Sequence, residues 1–301
     1  MTKQDRFRGC LLGLACGDAV GTAVEFSARG SFQPVTGMTG GGPFNLKPGE
    51  WTDDTSMALC LATSLVEKHA FDPHDQMERY GRWHDEGYLS SNGRCFDIGM
   101  TISNALGRFK ETGDPFSGPT NPRSAGNGCI MRLAPVPMFF HPDLEEVTYY
   151  SGESSRTTHG ARECIDACRL FGAMISQALA GKTKDEILFS GYDDKHSLSP
   201  KIQEIAQGRY REKSEDKISG SGYVVACLEA ALWSFYHTAN FRDAVLRAVN
   251  LGDDADTTGA VCGQIAGAFY GASAIPQEWL DILAKYDLIV ELAEKLLTRG
   301  G

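Results

Sequence analysis

The sequence predicts an all-α, compact single-domain multi-helix fold, and three observations predict it. Apolar residues recur at helical spacing along nearly the whole chain, strand-like alternation is scarce, and loops are marked by short glycine and proline clusters. With 301 residues, 42% of them hydrophobic, the chain can bury a substantial core without disulfides or structural metals. No stretch is long or biased enough to be a linker, so one domain spanning 1–301 is expected.

The helical pattern runs over 4–25, 54–69, 73–86, 94–111, 128–140, 143–156, 160–180, 183–190, 198–209, 221–238, 240–249, 256–273 and 284–298. Gly40-Gly41-Gly42-Pro43 and Pro48-Gly49 separate the first two helices, and Gln33–Met38 before them is the best strand-like run. Gly113-Asp114-Pro115 with Ser117-Gly118-Pro119 closes the fourth helix, and Ser219-Gly220-Ser221-Gly222 precedes most of the tenth. The charged run Arg209–Lys217 reads as a solvated helix end. No period of the kind that builds a solenoid is present.

Two helices carry an additional regularity. Gly9, Gly13, Gly17 and Gly21 recur every four residues, as do Gly259, Gly263, Gly267 and Gly271. On a helix this spacing makes a glycine ridge along one face. Each internal glycine costs about 1 kcal/mol relative to alanine, so close backbone approach must compensate. Both helices are therefore expected to be buried against a neighbour, with the two against each other as one such arrangement.

Composition excludes several classes. A net charge of −10 argues against nucleic acid or an anionic membrane as partner, and there is no strong nucleic-acid signal. The nine cysteines are odd in number, form no CxxC pair, and mostly lie in apolar helix-like runs, which fits free core thiols in a reducing compartment. Lys3, Arg6 and Arg8 precede the apolar stretch Cys10–Cys16, but that run is short and Asp18 and Glu25 follow, so it reads as helix rather than leader. No segment reaches the roughly 20 apolar residues of a membrane span, and the expected location is the cytoplasm. Oligomeric state is not readable from the residues; a monomer is compatible with all of them.

Five segments carry chemistry. Trp51-Thr52-Asp53-Asp54-Thr55 precedes an apolar helix and, taken alone, reads first as a helix cap. Gly252-Asp253-Asp254-Ala255-Asp256-Thr257-Thr258-Gly259 holds more carboxylates than capping needs, and divalent cations are the usual means of neutralising such crowding. Ligation by Asp and Thr oxygens without nearby His or Cys points to Mg²⁺ or Mn²⁺ rather than zinc, and the spacing is not that of a calcium loop. Glu25, closing Gly17–Glu25, is either a surface group or a carboxylate delivered into a cleft. Ser124-Ala125-Gly126-Asn127-Gly128, running into Cys129–Arg132, is an ordinary turn or a phosphate cradle. His159, in Thr157-Thr158-His159-Gly160, either faces a ligand or caps the next helix.

In this order and at these separations the five segments resemble the ADP-ribosylglycohydrolase family, the type that includes the dinitrogenase-reductase-activating glycohydrolase. The resemblance runs from about Arg6 to about Ala274. Its most specific parts are Gly-Asp-x-x-Gly-x-x-x-Glu (Gly17–Glu25), Trp-Thr-Asp-Asp-Thr (Trp51–Thr55), Gly-Asn-Gly with a following Met-Arg (Gly126–Arg132), Thr-His-Gly (Thr158–Gly160) and Asp-x-Asp-Thr (Asp254–Thr257).

The resemblance implies an all-α domain with two divalent cations in a cleft. Thr52, Asp53 and Asp54 would be ligands from one side and Asp254, Asp256 and Thr257 from the other. Glu25, Asp54 and Asp256 would carry the catalysis, with Glu25 a ligand or the group that handles a proton. Ser124, Gly126, Asn127 and Gly128 would hold the diphosphate, His159 would line the same cleft, and Asp97 would face the substrate. Tyr223 would stack on the adenine. Asp253 departs from the pattern, standing where many relatives have a second glycine, and would add charge beside the metals. The implied partner is an ADP-ribosylated substrate of unread acceptor. Alternatives from the residues are a two-metal nucleotide phosphoesterase and a non-catalytic binding, immunity or structural module.

Overall fold

A computed structural model describes residues 1–189 and 197–299. Its helices are α1 (Lys3–Gly21), α2 (Asp53–Lys68), α3 (Pro73–Glu86), α4 (Met100–Thr112), α5 (Pro135–Phe140), α6 (Leu144–Arg156), α7 (Arg162–Leu179), α8 (Lys184–Phe189), α9 (Pro200–Ala206), α10 (Val224–Tyr236), α11 (Phe241–Val249), α12 (Ala255–Tyr270), α13 (Gln277–Leu280) and α14 (Tyr286–Arg299). The fold is all-α, and among the described residues no strand forms. The helix expected over 183–190 is α8; its last residue, 190, lies outside the described residues.

The glycine ridges of α1 and α12 pack against each other and run antiparallel. A Cβ on Gly9 would lie 2.3 Å from the Gly267 carbonyl oxygen, one on Gly13 2.3 Å from that of Gly263, and one on Gly17 2.0 Å from that of Gly259. Each missing side chain is filled by the opposite backbone, which gives the internal glycines their compensation. Every residue of α1 from Gly9 onward and of α12 up to Ala268 is buried. By length and composition Lys3–Val24 would pass for a membrane span, contrary to the sequence reading, but 89% of its apolar window is buried inside the fold.

The main core joins α1, α12, α7, α10, α11 and α14, and a satellite of Met57, Cys60, Met77, Tyr80, Trp83, Ile102, Leu106 and Met131 ties α2 to α3 and α4. Three sequence expectations are corrected. The helix expected from 94 starts only at Met100, because Asp97 takes a left-handed φ of 60° that breaks helical continuation. The helix expected over 128–140 divides into a 3₁₀ turn, Asn127–Cys129, and α5, which begins at Pro135, where proline has no N–H to continue a helix. Gln33–Met38 is irregular: Val35 pairs its N–H and C=O with the side-chain amide of Asn250, at 2.8 and 3.0 Å, instead of with a second strand.

Candidate active site and metal centre

Because α1 and α12 are antiparallel, the C-terminal end of one meets the N-terminal end of the other, and those ends carry the acids. A Cβ on Gly21 would lie 2.3 Å from the Asp256 Cα. A 3₁₀ turn, Thr22–Val24, then redirects the chain so that Glu25 enters the cleft, 4% exposed. The start of α2 joins them from the third side. Thr52 Oγ1 lies 2.9 Å from Asp18 Oδ1, 3.0 Å from Asp54 Oδ2 and 3.1 Å from Asp256 Oδ2. The acids near residue 53 and those near residue 255 therefore converge.

Two overlapping clusters result. Oxygens of Asp18, Asp54 and Asp256 lie within 4.8 Å of one another, as do those of Glu25, Asp97 and Asp256. Burial, followed by the surrounding carboxylates, pushes the proton affinities of Asp53, Asp54 and Asp256 well above the ordinary carboxylate range. Glu25 and Asp97 are raised for the same first reason.

The donor set fits hard cations. Glu25 Oε2, Asp54 Oδ1 and Asp256 Oδ1 are buried without a hydrogen-bond partner. A hydroxyl has one proton to give, so Thr52 can satisfy only one of the three carboxylates around it. Orphaned, mutually repelling oxygens are what a divalent cation neutralises, and all the donors are oxygen, as Mg²⁺ and Mn²⁺ prefer.

Opposite the acids, the cleft of about 330 Å³ is lined by Gly126, Asn127, Gly128 and His159, with Asp53, Asp97, Asp254 and Thr257 on its acidic side. The Gly126 loop is docked on the start of α10 by Asn127 N–H to Gly222 O at 3.0 Å and Val224 N–H to Ala125 O at 3.0 Å. Asn127 Nδ2 donates to Asp254 Oδ2 at 2.9 Å, joining the loop to the acids. Glycine is needed here because His159 lies against the loop: a Cβ on Gly128 would come within 2.8 Å of its Cε1.

Most of the sequence-predicted residues come together, with three differences. Tyr223 does not line the cleft; its hydroxyl donates to Glu163 and accepts from Lys201 at 2.8 Å, and it serves the site through its backbone bridge to Gly126. Ser124 lines an adjoining groove that shares Met100 and Thr101 with the cleft. Asp253 is exposed, at a left-handed φ of 57°, and is absent from the cleft wall, so it does not place its charge beside the acids.

One residue was missed. Asp18, fully buried, accepts from the backbone N–H and hydroxyl of both Thr52 and Thr55. It therefore caps α2 from another helix, and Thr52 makes no side-chain cap bond of its own. The signal was a carboxylate inside an otherwise apolar ridge helix, beside Gly17 and Gly21.

The all-α fold and its carboxylate-lined cleft are those of a known family of hydrolases. The chain belongs to the ADP-ribosylglycohydrolase family, whose family model matches residues 1–301. It is 46% identical to the ADP-ribosylarginine hydrolase Tri1 of Pseudomonas putida (strain GB-1), over 98% of this chain and 79% of that protein. It is 34% identical to the ADP-ribosyl-[dinitrogen reductase] glycohydrolase of Rhodospirillum rubrum, over 96% of this chain and 92% of that one. A solved structure described as an ADP-ribosylglycohydrolase-related protein complex superposes with a TM-score of 0.85 at 42% identity, over 99% of both chains. The protein is accordingly a hydrolase of ADP-ribosyl glycosidic bonds.

Proposed function

We propose that the protein removes ADP-ribose from arginine side chains of proteins, using two divalent cations, Mg²⁺ or Mn²⁺, and that residues 1–301 act as one domain. The observation that carries the cation reading is the meeting of Asp18, Asp54 and Asp256 around the Thr52 hydroxyl, with buried oxygens left unpartnered. The arginine acceptor is supported by the 46% identity to two ADP-ribosylarginine hydrolases, of Pseudomonas putida and Serratia proteamaculans. Nine free cysteines, eight of them buried, support a reducing compartment such as the cytoplasm.

Thr52, Asp53 and Asp54 hold the cations from the start of α2, and Asp254, Asp256 and Thr257 from the start of α12. When bound, the cations supply Lewis-acid polarisation of the ribose hydroxyls and a water activated for attack. Gly126, Asn127 and Gly128 seat the diphosphate, with Ser124 in the adjoining groove and His159 against the loop. Asp97 faces the ribose. Glu25 moves a proton at the anomeric centre, and the surrounding carboxylates stabilise positive charge developing on the sugar.

The test is a panel of ADP-ribosylated arginine, serine and nucleic-acid substrates, with and without a chelator. Intact ADP-ribose should be released from the arginine conjugate, and the chelator should stop release. Free phosphate or AMP as product, or an undiminished rate in chelator, would overturn the assignment.

A further inference from the structure

Arg132, in the Met-Arg pair that follows the Gly126 loop, is fully buried and directly behind that loop. Among the described residues no carboxylate pairs with it; its partners are neutral. Nη1 donates to Gly128 O at 2.8 Å, and Nη2 to Thr158 Oγ1 at 2.7 Å and Thr157 Oγ1 at 3.2 Å. Its guanidinium also lies over the Tyr80 ring, 4.9 Å from the centroid.

The next link is a hydrogen bond of 2.8 Å between Thr158 Oγ1 and His159 Nδ1. A guanidinium can only donate, so Thr158 accepts from Arg132 and its own proton needs an acceptor. His159 Nδ1 supplies one. A proton on Nδ1 instead would aim two donors at one oxygen and strand the hydroxyl proton in a fully buried place. The ring's other edge faces the loop, where a Cβ on Gly126 would lie 3.3 Å from Nε2.

We infer that Arg132 is a positioning residue that acts through Thr158 to fix His159 as the tautomer protonated on Nε2, presenting a permanent hydrogen-bond donor to a diphosphate oxygen at Gly126–Gly128. The ligand in this inference rests on the reading of the loop given above. Burial pulls His159 down to about 4, which keeps the ring neutral, as the relay requires.

The experiment has two arms. Nitrogen-15 NMR of the histidine rings in ligand-free protein reads the tautomer directly; the wild type should carry the proton on Nε2, and Thr158→Val should lose that preference. Calorimetry with ADP-ribose should show Thr158→Val binding about tenfold more weakly or worse, as expected for one lost hydrogen bond to a charged group. Thr158→Ser should restore both, and Thr158→Val should raise KM more than it lowers kcat. Arg132→Met, where it folds, should reproduce the Thr158→Val tautomer change. A wild-type ring protonated on Nδ1, or a Thr158→Val protein with unchanged tautomer or unchanged ADP-ribose affinity, would overturn the inference. Failure of the wild type to bind ADP-ribose would instead sink the reading of the loop, and with it the donor's target, while the ligand-free tautomer still decides the relay.

Discussion

Asp18 on α1 and Thr55 in the first turn of α2 are joined through one carboxylate oxygen: Oδ2 accepts the Thr55 N–H at 3.0 Å and its hydroxyl at 2.6 Å. The other oxygen takes the Thr52 N–H and hydroxyl, both at 2.9 Å. A helix N-terminus needs acceptors for its free N–H groups, and here they come from another helix. Asp53 and Asp54 are thereby released from capping and left for the cleft.

Asp18→Asn should therefore destabilise the metal-free protein, even though it removes one charge from an acidic cluster. An amide keeps one acceptor oxygen and turns the other position into a donor, so two of the four bonds face a repelling NH₂ group. Unsatisfied buried donors cost about 1–3 kcal/mol each, and a net loss of about 2 kcal/mol is expected. Chemical denaturation in chelator measures it; an unchanged midpoint would show that α2 does not depend on this cap.

The glycine ridge makes a prediction of reversed sign. In an exposed helix, Gly→Ala gains about 1 kcal/mol, and Gly107→Ala on α4, with nothing within 4 Å of its Cβ position, should show that gain. Gly17→Ala should do the opposite, because its Cβ would meet the Gly259 carbonyl oxygen at 2.0 Å and carbon at 2.4 Å. Forcing the backbones apart costs about 1–3 kcal/mol or more. Urea midpoints of the two variants, moving in opposite directions, are the expected result.

This ridge shows why so much of the fold was legible. A period of four in glycine is local, and it announces which face must meet another backbone; the antiparallel pairing then brings Glu25 and Asp256 together. Asp97 was harder, since its neighbours have helical spacing while its own backbone is left-handed, a single-residue choice that leaves no periodic signal. The side-chain direction of Tyr223 depends on Lys201 and Glu163, which are distant in sequence and carry no pattern. Asp18 was visible as a letter, but its partners Thr52 and Thr55 lie more than thirty residues away.

The cleft carboxylates predict an unusual pH dependence of stability in the absence of cations. Burial raises Asp18 to about 6 and Asp97 to about 7, and burial with neighbouring acids raises Glu25 to about 10. These groups bind protons more tightly folded than unfolded, so their stabilising effect is complete below the ordinary carboxylate values of about 4 and is lost as pH rises through the raised ones. In chelator, the melting temperature should fall as pH rises from about 4 to about 10. Saturating Mg²⁺ or Mn²⁺ should flatten that slope and raise the melting temperature, with about 2.7 kcal/mol expected at a hundredfold excess over Kd. A melting temperature that climbs with pH in chelator would contradict the crowding of these acids.

Asp54→Asn and Asp256→Asn separate the cation role from a structural one. Each removes a charge from a buried, mutually repelling group, so the metal-free variants should melt at or above the wild-type temperature. Each also removes an oxygen that has no partner within the protein, and activity should fall by on the order of a thousandfold, the equivalent of several kcal/mol of transition-state stabilisation. Cation titrations followed by calorimetry should show weakened binding. Wild-type turnover by either variant in saturating Mg²⁺ would remove both residues from the centre.

Asp253 is next to Asp254 in the chain, yet no catalytic consequence is expected of its side chain. Its backbone is fully engaged: its N–H donates to Ser27 O at 2.8 Å and its carbonyl accepts from Phe26 N–H at 2.7 Å, at a φ of 57°. That conformation is strained for most residues, tolerable for Asp and free for Gly. Asp253→Gly relieves the strain but adds freedom to the unfolded chain, so stability should stay within about 1 kcal/mol of wild type. The side chain is exposed and outside the cleft wall, so kcat and KM should be unaltered across ionic strengths. A several-fold change in kcat/KM that disappears at high salt would show that this charge does reach the substrate.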